Sequence, residues 1–468
     1  MDLRNRGAES VPLMDTTASP MRPEKDDGLG RSLLARNMPR WTDESRNDRP
    51  KELNNAAFST VQVLNSMIGS GVLSFPYVFA NCGWILSILL LGLSAVVCYA
   101  TSIMLLRVGQ AVGHPKGELS EVIEKTLGVP WRKGVDICIA LSCLGALLTY
   151  YNVIGTLGSD LLKSVRHDDG TELVVDTYAG FMFVVVGLVA APPCFFREYG
   201  ELTPISLLSL SFIVFTTLVV MGKGIDKGHA IPAGPDSWYA PVTLLGNFVY
   251  ATSMQYVVFE MYASMEATSR PAVKSVVAGA VGCGCSILLV MGLGGVAAIG
   301  SDVDSDVLSS LDSKTTLVKV LYGCTIAHLC FYIPNDFIIG RLFFWRSWGV
   351  NYLQMPEQRH VVTTFCFVFG PLALMASIPR DMVNGVFELC IALTGEIPTT
   401  IAALVAPCLA YRAAILDRGE ADAPVSAAQT TAILYGAYFV LFISPIVTLY
   451  QFIDDCVDDG CASYDGRR

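Results

Sequence analysis

The chain has 468 residues, 52% of them hydrophobic and only 16% charged, with a mean hydropathy of +0.49 and a formal net charge of -10. That balance suits an all-α integral membrane protein rather than a soluble enzyme, and it excludes the basic face that a nucleic-acid partner requires. The 14 cysteines lie mostly within apolar runs, as small hydrophobes, and show no CxxC pair or Cys/His cluster at metal-ligand spacing, so no cofactor is expected.

Residues 1–52 carry as many acidic as basic side chains, with scattered prolines and no helical periodicity, and read as a disordered cytosolic tail. They contain no uninterrupted apolar core of the kind a signal peptide needs. From Leu53 to Leu106 no Asp, Glu, Lys, Arg or His occurs. A span needs ~20 apolar residues, so this tract supplies two, at 56–80 and 84–106, with a turn at Asn81-Cys82-Gly83. The first is interrupted by Gly69-Ser70-Gly71, with Pro76 further on. Irregular backbone at membrane depth is tolerated only where protein buries it or a polar cavity adjoins it, and broken helices of this kind hold the substrate in many secondary transporters.

Further apolar runs follow at 135–157, 178–195, 204–221, 242–265, 273–299, 317–344, 361–378, 382–410 and 427–452, which makes about eleven spans. The run from Tyr178 is the shortest. An odd number puts the termini on opposite sides, and Arg107, Lys116, Lys125, Arg132 and Lys133 between the second and third spans favour a cytosolic N-terminus. The acidic 301–312 loop and the acidic tail 453–468 then face outside or into an organelle lumen. Cys456 and Cys461 share that side, where they can form a disulfide or remain two free thiols.

Polar groups within spans are costly, so they face a cavity, a partner or a substrate path. Gln62, Asn65, Ser66 and Gly69 recur at helical spacing as one stripe leading into the break at Ser70 and Gly71. The break frees backbone N–H groups at a half-helix N-terminus, a ready site for a substrate carboxylate. The alternative is a glycine-mediated close helix contact; Pro76 and the serines favour the break. The sixth span carries Asn247, Tyr250, Thr252, Ser253, Gln255 and Glu260, which points to a second broken helix across the site. Tyr150, Tyr151 and Asn152 of the third span are positioned to close over a substrate or to serve as packing groups. His328 and Asp336 of the eighth span and Glu388 and Glu396 of the tenth are titratable groups for proton coupling, or structural hydrogen-bonding residues.

The sequence resembles the amino acid/auxin permease family of secondary transporters. The match rests on Gly69-Ser70-Gly71-Val72-Leu73-Ser74-Phe75-Pro76-Tyr77, on the stretch from Gln255 to Glu266 with Val258-Phe259-Glu260-Met261-Tyr262, and on Ile299-Gly300-Ser301-Asp302-Val303-Asp304-Ser305-Asp306-Val307-Leu308, which lacks the usual aromatic before the glycine. The resemblance covers 54–452. It implies a LeuT-type fold with two inverted five-helix repeats, spans one and six broken at the site, and an accessory eleventh span.

On that resemblance the chain is a transporter of amino acids, neutral ones by preference, working by alternating access in the plasma membrane or a vacuolar or lysosomal membrane. Sodium-coupled relatives have an Asn matched by Asn65, but their eighth-span Thr is replaced by Tyr332. Proton-coupled relatives have a stretch resembled by Cys330-Phe331-Tyr332-Ile333-Pro334-Asn335-Asp336-Phe337, but a first-span His where this chain has Gln62. The coupling ion favoured is therefore H+, through the set Gln62, Asn65, His328, Asp336 and Glu396, with Na+ or uncoupled exchange as alternatives. Substrate contacts are expected from Asn65, Ser66, Gly69, Ser70, Gly71, Tyr150, Ser253, Gln255 and Glu260. A different class, an amino acid sensor whose tail engages a signalling partner, is the competing reading.

Overall fold

The computed structural model describes residues 54–115, 117–165, 175, 177–197, 203–350, 352–419 and 423–458. The expected N-terminal tail, Cys461 and the pairing of Cys456 lie outside what is described. Eight helices among the described residues are long and apolar enough to cross a membrane, and a bent pair adds a ninth.

That bent pair is the first expected span. Its halves, α1 (Ala56–Met67) and α2 (Gly71–Cys82), meet at 63°. Two glycines flanking a serine lower helix propensity where the break falls, because glycine loses more backbone entropy than any other residue and serine competes for backbone groups. Asn55 caps α1, its side chain accepting from the Phe58 N–H at 2.8 Å. A tight turn at Gly83 (φ 73°), where an added Cβ would lie 2.5 Å from the Gly234 carbonyl oxygen, leads into α3 (Trp84–Ala111).

The charged loop after α3 is not simply a connector. It contains the short amphipathic helix α4 (Leu119–Leu127), which buries Leu119, Val122 and Ile123. Ion pairs hold it in place: Arg132 to Glu124 at 3.1 Å, and Arg346 to the preceding Glu118 at 2.6 Å. The third span, α5 (Val129–Val165), extends beyond its apolar core at both ends. The fourth, α6 (Tyr178–Cys194), is a shorter apolar helix with a π-helical turn at Val186–Ala190. The fifth is α7 (Thr203–Lys227).

The sixth expected span is also broken. α8 (Leu245–Thr252) stops at Ser253, a tight helical turn follows at Gln255–Val257, and α9 (Val258–Ser264) resumes. Then come α10 (Val273–Ile299), α11 (Thr316–Ser347), α12 (Glu357–Ala376), α13 (Val383–Leu416), α14 (Ala427–Phe442) and α15 (Ser444–Asp458). α13 contains π-helical turns at Gly395–Thr399, Ile401–Val405 and Arg412–Leu416. α14 and α15 form the eleventh expected span, joined at Ile443.

Small residues set the helix spacing. A Cβ on Gly295 of α10 would lie 2.3 Å from the Pro76 ring, and one on Gly284 would lie 2.6 Å from Met67. α10 thus lies along both halves of the broken first span at backbone distance, the packing mode expected where lipid supplies no hydrophobic drive between helices. The loop after α10 reaches the first turn of α2, beside the break: the Val307 N–H donates to the Leu73 carbonyl at 3.2 Å. The outward faces expose large apolar side chains such as Leu89, Leu93, Val96, Leu188, Leu218 and Val362, as a lipid-facing surface does.

Candidate functional site

The two breaks open onto one buried cavity, walled by both halves of the first span, α5, the end of α8, α11 and α13. Its volume is about 30 Å³, room for about two waters. With its walls as they stand, that space is too small for an amino acid.

At the first break the N–H groups of Gly69, Ser70 and Gly71 donate to no backbone carbonyl among the described residues. They stand at the N-terminus of α2, where aligned peptide dipoles favour negative charge. The Thr149 hydroxyl gives its hydrogen to the Ala146 carbonyl at 2.7 Å, so Ser70 donates to Thr149, also at 2.7 Å. That bond fixes the break to α5. On the other side of the break, Tyr332 of α11 donates to the Ser66 carbonyl at 2.9 Å, satisfying one acceptor left over at the end of α1.

Gly69 has a steric role. A Cβ there would lie 2.7 Å from the Tyr150 hydroxyl. With only hydrogen at that position, Tyr150 reaches past the break and donates to Asp336 at 2.6 Å. The Tyr150 and Tyr332 rings pack edge to face with centroids 5.6 Å apart. Asp336 is 4% exposed and is the carboxyl among the residues lining the cavity. Across from it, Tyr250 stacks over Gly71, where a Cβ would lie 3.0 Å from the ring.

The second break is held open by α3. Gln255 donates to the Thr101 hydroxyl at 2.9 Å and accepts from the Met254 N–H at 2.8 Å, while the Cys98 thiol donates to the Thr252 carbonyl at 2.9 Å. The Thr252 carbonyl and the Met254 N–H, freed where the helix unwinds, thereby find partners.

The profile of the family described as "Transmembrane amino acid transporter protein" matches residues 55–450. The chain belongs to this family. A putative sodium-coupled neutral amino acid transporter 11 of Danio rerio is 24% identical over 70% of this chain and 72% of its own length. Its counterpart in Bos taurus is 27% identical, over 44% of each chain, so the match spans under half the length of that relative. Vacuolar amino acid transporter 5 of Schizosaccharomyces pombe is 23% identical over 75% of this chain and 82% of its own. In three dimensions the fold is similar to that of a manganese transporter from Eremococcus coleocola, with a TM-score of 0.53 and 10% identity over 88% and 89% of the two chains. That likeness concerns the fold alone: a LeuT-type helical bundle. The family is one of transporters, not enzymes, and its members are embedded in membranes.

Within this amino acid transporter family member, the sequence-derived candidates separate into groups. Ser66, Gly69, Gly71, Tyr150, Ser253 and Asp336 line the cavity, and Ser70 stands at the start of the half-helix beside them with its hydroxyl turned to Thr149. Ser66 and Ser253 hydroxyls bond back into their own helices, to Val63 and Tyr250 carbonyls. Gln255 and Glu260 do not line it; Gln255 is the latch to α3 just described, and Glu260 is half-buried on α9. Gln62 accepts from the Asn54 amide at 3.0 Å, in a clasp that also joins Asn54 to Ser264.

Asn65 is 1% exposed, and neither atom of its amide has a hydrogen-bond partner among the described residues. A buried amide without partners is costly. His328 is fully buried against α7. Its Nδ1 lies 2.9 Å from the Ser209 carbonyl oxygen, which only accepts, so Nδ1 carries the hydrogen. Its Nε2 has no partner among the described residues. Glu396 is buried behind α8, outside the cavity. Sequence reading did not single out Thr149 or Thr101, whose anchoring of the two breaks depends on contacts remote in the chain.

Proposed function

We propose that this chain carries neutral amino acids across a membrane by alternating access, driven by protons. The observation that carries the reading is the juxtaposition of the unpaired Gly69–Gly71 N–H groups with the Tyr150–Asp336 pair in one cleft. The N–H groups and the positive end of α2 suit the substrate carboxylate. Asp336 suits the opposite end of the zwitterion, and as a buried carboxyl in contact with the substrate it is the natural group to exchange a proton with it.

Proton coupling is favoured over sodium because Tyr332 puts its hydroxyl on the Ser66 carbonyl, at the eighth-span position where sodium-coupled relatives carry a Thr. Eleven spans are also part of the proposal, counting α6 and the broken α8–α9 as the fourth and sixth, with the N-terminus in the cytosol. A vacuolar-type membrane fits the naming of the fission yeast relative.

Purified protein in liposomes tests this reading. Labelled alanine, serine or glutamine should accumulate under an inward proton gradient and be displaced by other amino acids, not by amines that lack the carboxylate. Uptake of sugars or nucleosides without competition by amino acids would refute it.

A further inference from the structure

Glu396 occupies a junction of three spans behind the cavity wall. It sits in the π-helical turn Gly395–Thr399 of α13, the kind of local widening that recurs at functional sites. α13 meets α8 there at backbone contact: a Cβ on Gly395 would lie 1.9 Å from the Gly246 carbonyl oxygen, and one on Gly246 would lie 2.8 Å from Glu396 Cγ. From the other side, Ser444 and Thr448 of α15 each place a hydroxyl 2.7 Å from Glu396 Oε1. Ser444 Oγ is also 2.5 Å from the Val242 carbonyl oxygen, just before α8.

The hydrogens in this cluster can be counted. A carbonyl only accepts, and a serine hydroxyl has one hydrogen, so Ser444 donates to Val242. The contact between Ser444 Oγ and Glu396 Oε1 then has no hydrogen unless the carboxyl supplies it. With a proton on Oε1, Glu396 donates to Ser444, accepts from Thr448, and every contact is made. Oε2 has no partner among the described residues, which a neutral carbonyl oxygen tolerates far better than an ionised one. The elements packed around the junction bring Tyr250 (α8), Cys143 and Tyr150 (α5), Glu388 and Cys390 (α13), Tyr438 (α14), and Tyr450 and Asp454 (α15). The hydroxyls of Ser444 and Thr448 are the groups seen against Glu396 Oε1.

We propose that Glu396 is a proton-binding site distinct from the substrate cavity, and that its proton ties the start of the sixth span to the eleventh through Ser444. When the proton leaves to water, the carboxylate takes the Ser444 hydrogen and the Val242 carbonyl loses its donor. The link between α15 and the segment leading into α8 opens, and α8 carries the cavity-lining Tyr250 and Ala251. The role in transport rests on the proton-coupled reading above; the protonation itself does not.

Infrared difference spectra of the full-length protein in H2O and D2O separate the two. At neutral pH, Glu396→Gln should lose a protonated-carboxyl C=O band that shifts in D2O, and Ser444→Ala should keep that band at an altered frequency. Loss of carboxylate bands in Glu396→Gln instead, or an unmoved band in Ser444→Ala, would overturn the assignment. In liposomes, Glu396→Gln should shift the pH profile of uptake while Asp336 still supports accumulation; an unchanged pH profile would overturn the coupling role. If the wild type moves no amino acid at all, the transport reading fails while the spectra still decide the proton.

Discussion

Tyr332 donates its hydroxyl to the carbonyl of Ser66 at 2.9 Å, tying the eighth span to the end of the first half-helix just before the break. A tyrosine is long enough to make this bond from α11 without an intervening ion. Uptake at constant pH should therefore be indifferent to replacing sodium with choline. Tyr332→Phe leaves the carbonyl without this donor and should lower stability by about 1 kcal/mol, read as a fall in Tm. Loss of uptake in choline would instead assign Asn65 and Ser66 to a sodium site.

Gly69→Ala tests how tightly the break and the cavity are linked. The methyl group would meet the Tyr150 hydroxyl at 2.7 Å and displace it from Asp336. Misplacing a recognition group by such an amount should reduce uptake on the order of tenfold or more. In a Tyr150→Phe background the clash is removed, so Gly69→Ala should add little, and a double-mutant cycle reads that non-additivity. Additive losses would mean that Gly69 acts on something other than Tyr150.

Gly71→Leu should abolish transport while the protein still reaches the membrane. Its Cβ already falls 3.0 Å from the Tyr250 ring, so the rest of the side chain must fill the cleft beside the free N–H groups. Surface labelling together with an uptake assay distinguishes this from misfolding.

Asp336→Asn keeps an acceptor for the Tyr150 hydroxyl but cannot exchange a proton. Expression and Tm should change little, whereas proton-driven accumulation should disappear. Exchange of internal for external amino acid, which needs no net proton movement, should survive better than accumulation. Equal loss of both would make Asp336 a substrate-binding group alone.

Asp306 supplies a pH dependence outside the spans. It lies in the loop between α10 and α11, is 3% exposed, and burial raises its pKa from the ordinary 3.8 to about 7, opposed by a hydrogen bond from the Leu308 N–H. The folded state thus holds a proton that the unfolded chain releases above about pH 4. Stability from this group is full below that value and is lost as the pH rises through about 7. Because Val307 bonds to Leu73 of α2, the same change loosens the loop's hold on the broken first span. Asp306→Asn should flatten the decline of Tm between pH 4 and 7; an unaltered slope would show that another group carries it.

Much of this protein was decided by the sequence itself. An uncharged tract punctuated by Gly69-Ser70-Gly71 dictates two spans and a break, because lipid offers no hydrogen bonds to an unwound backbone and glycine resists helix. The polar sixth span and the family membership followed from local pattern as well. Other features needed the tertiary structure. Side-chain spacing marked Gln255 as polar but did not show that it would turn away from the cleft to bond Thr101 on α3. Asp336 and Glu396 look alike in sequence, buried carboxyls in apolar runs; the fold sets one beside Tyr150 at the cleft and the other against Ser444 and Thr448 behind it. Local pattern fixes where a helix fails, because propensity acts within a turn or two, but the partner of each freed group is chosen by helices that meet hundreds of residues apart.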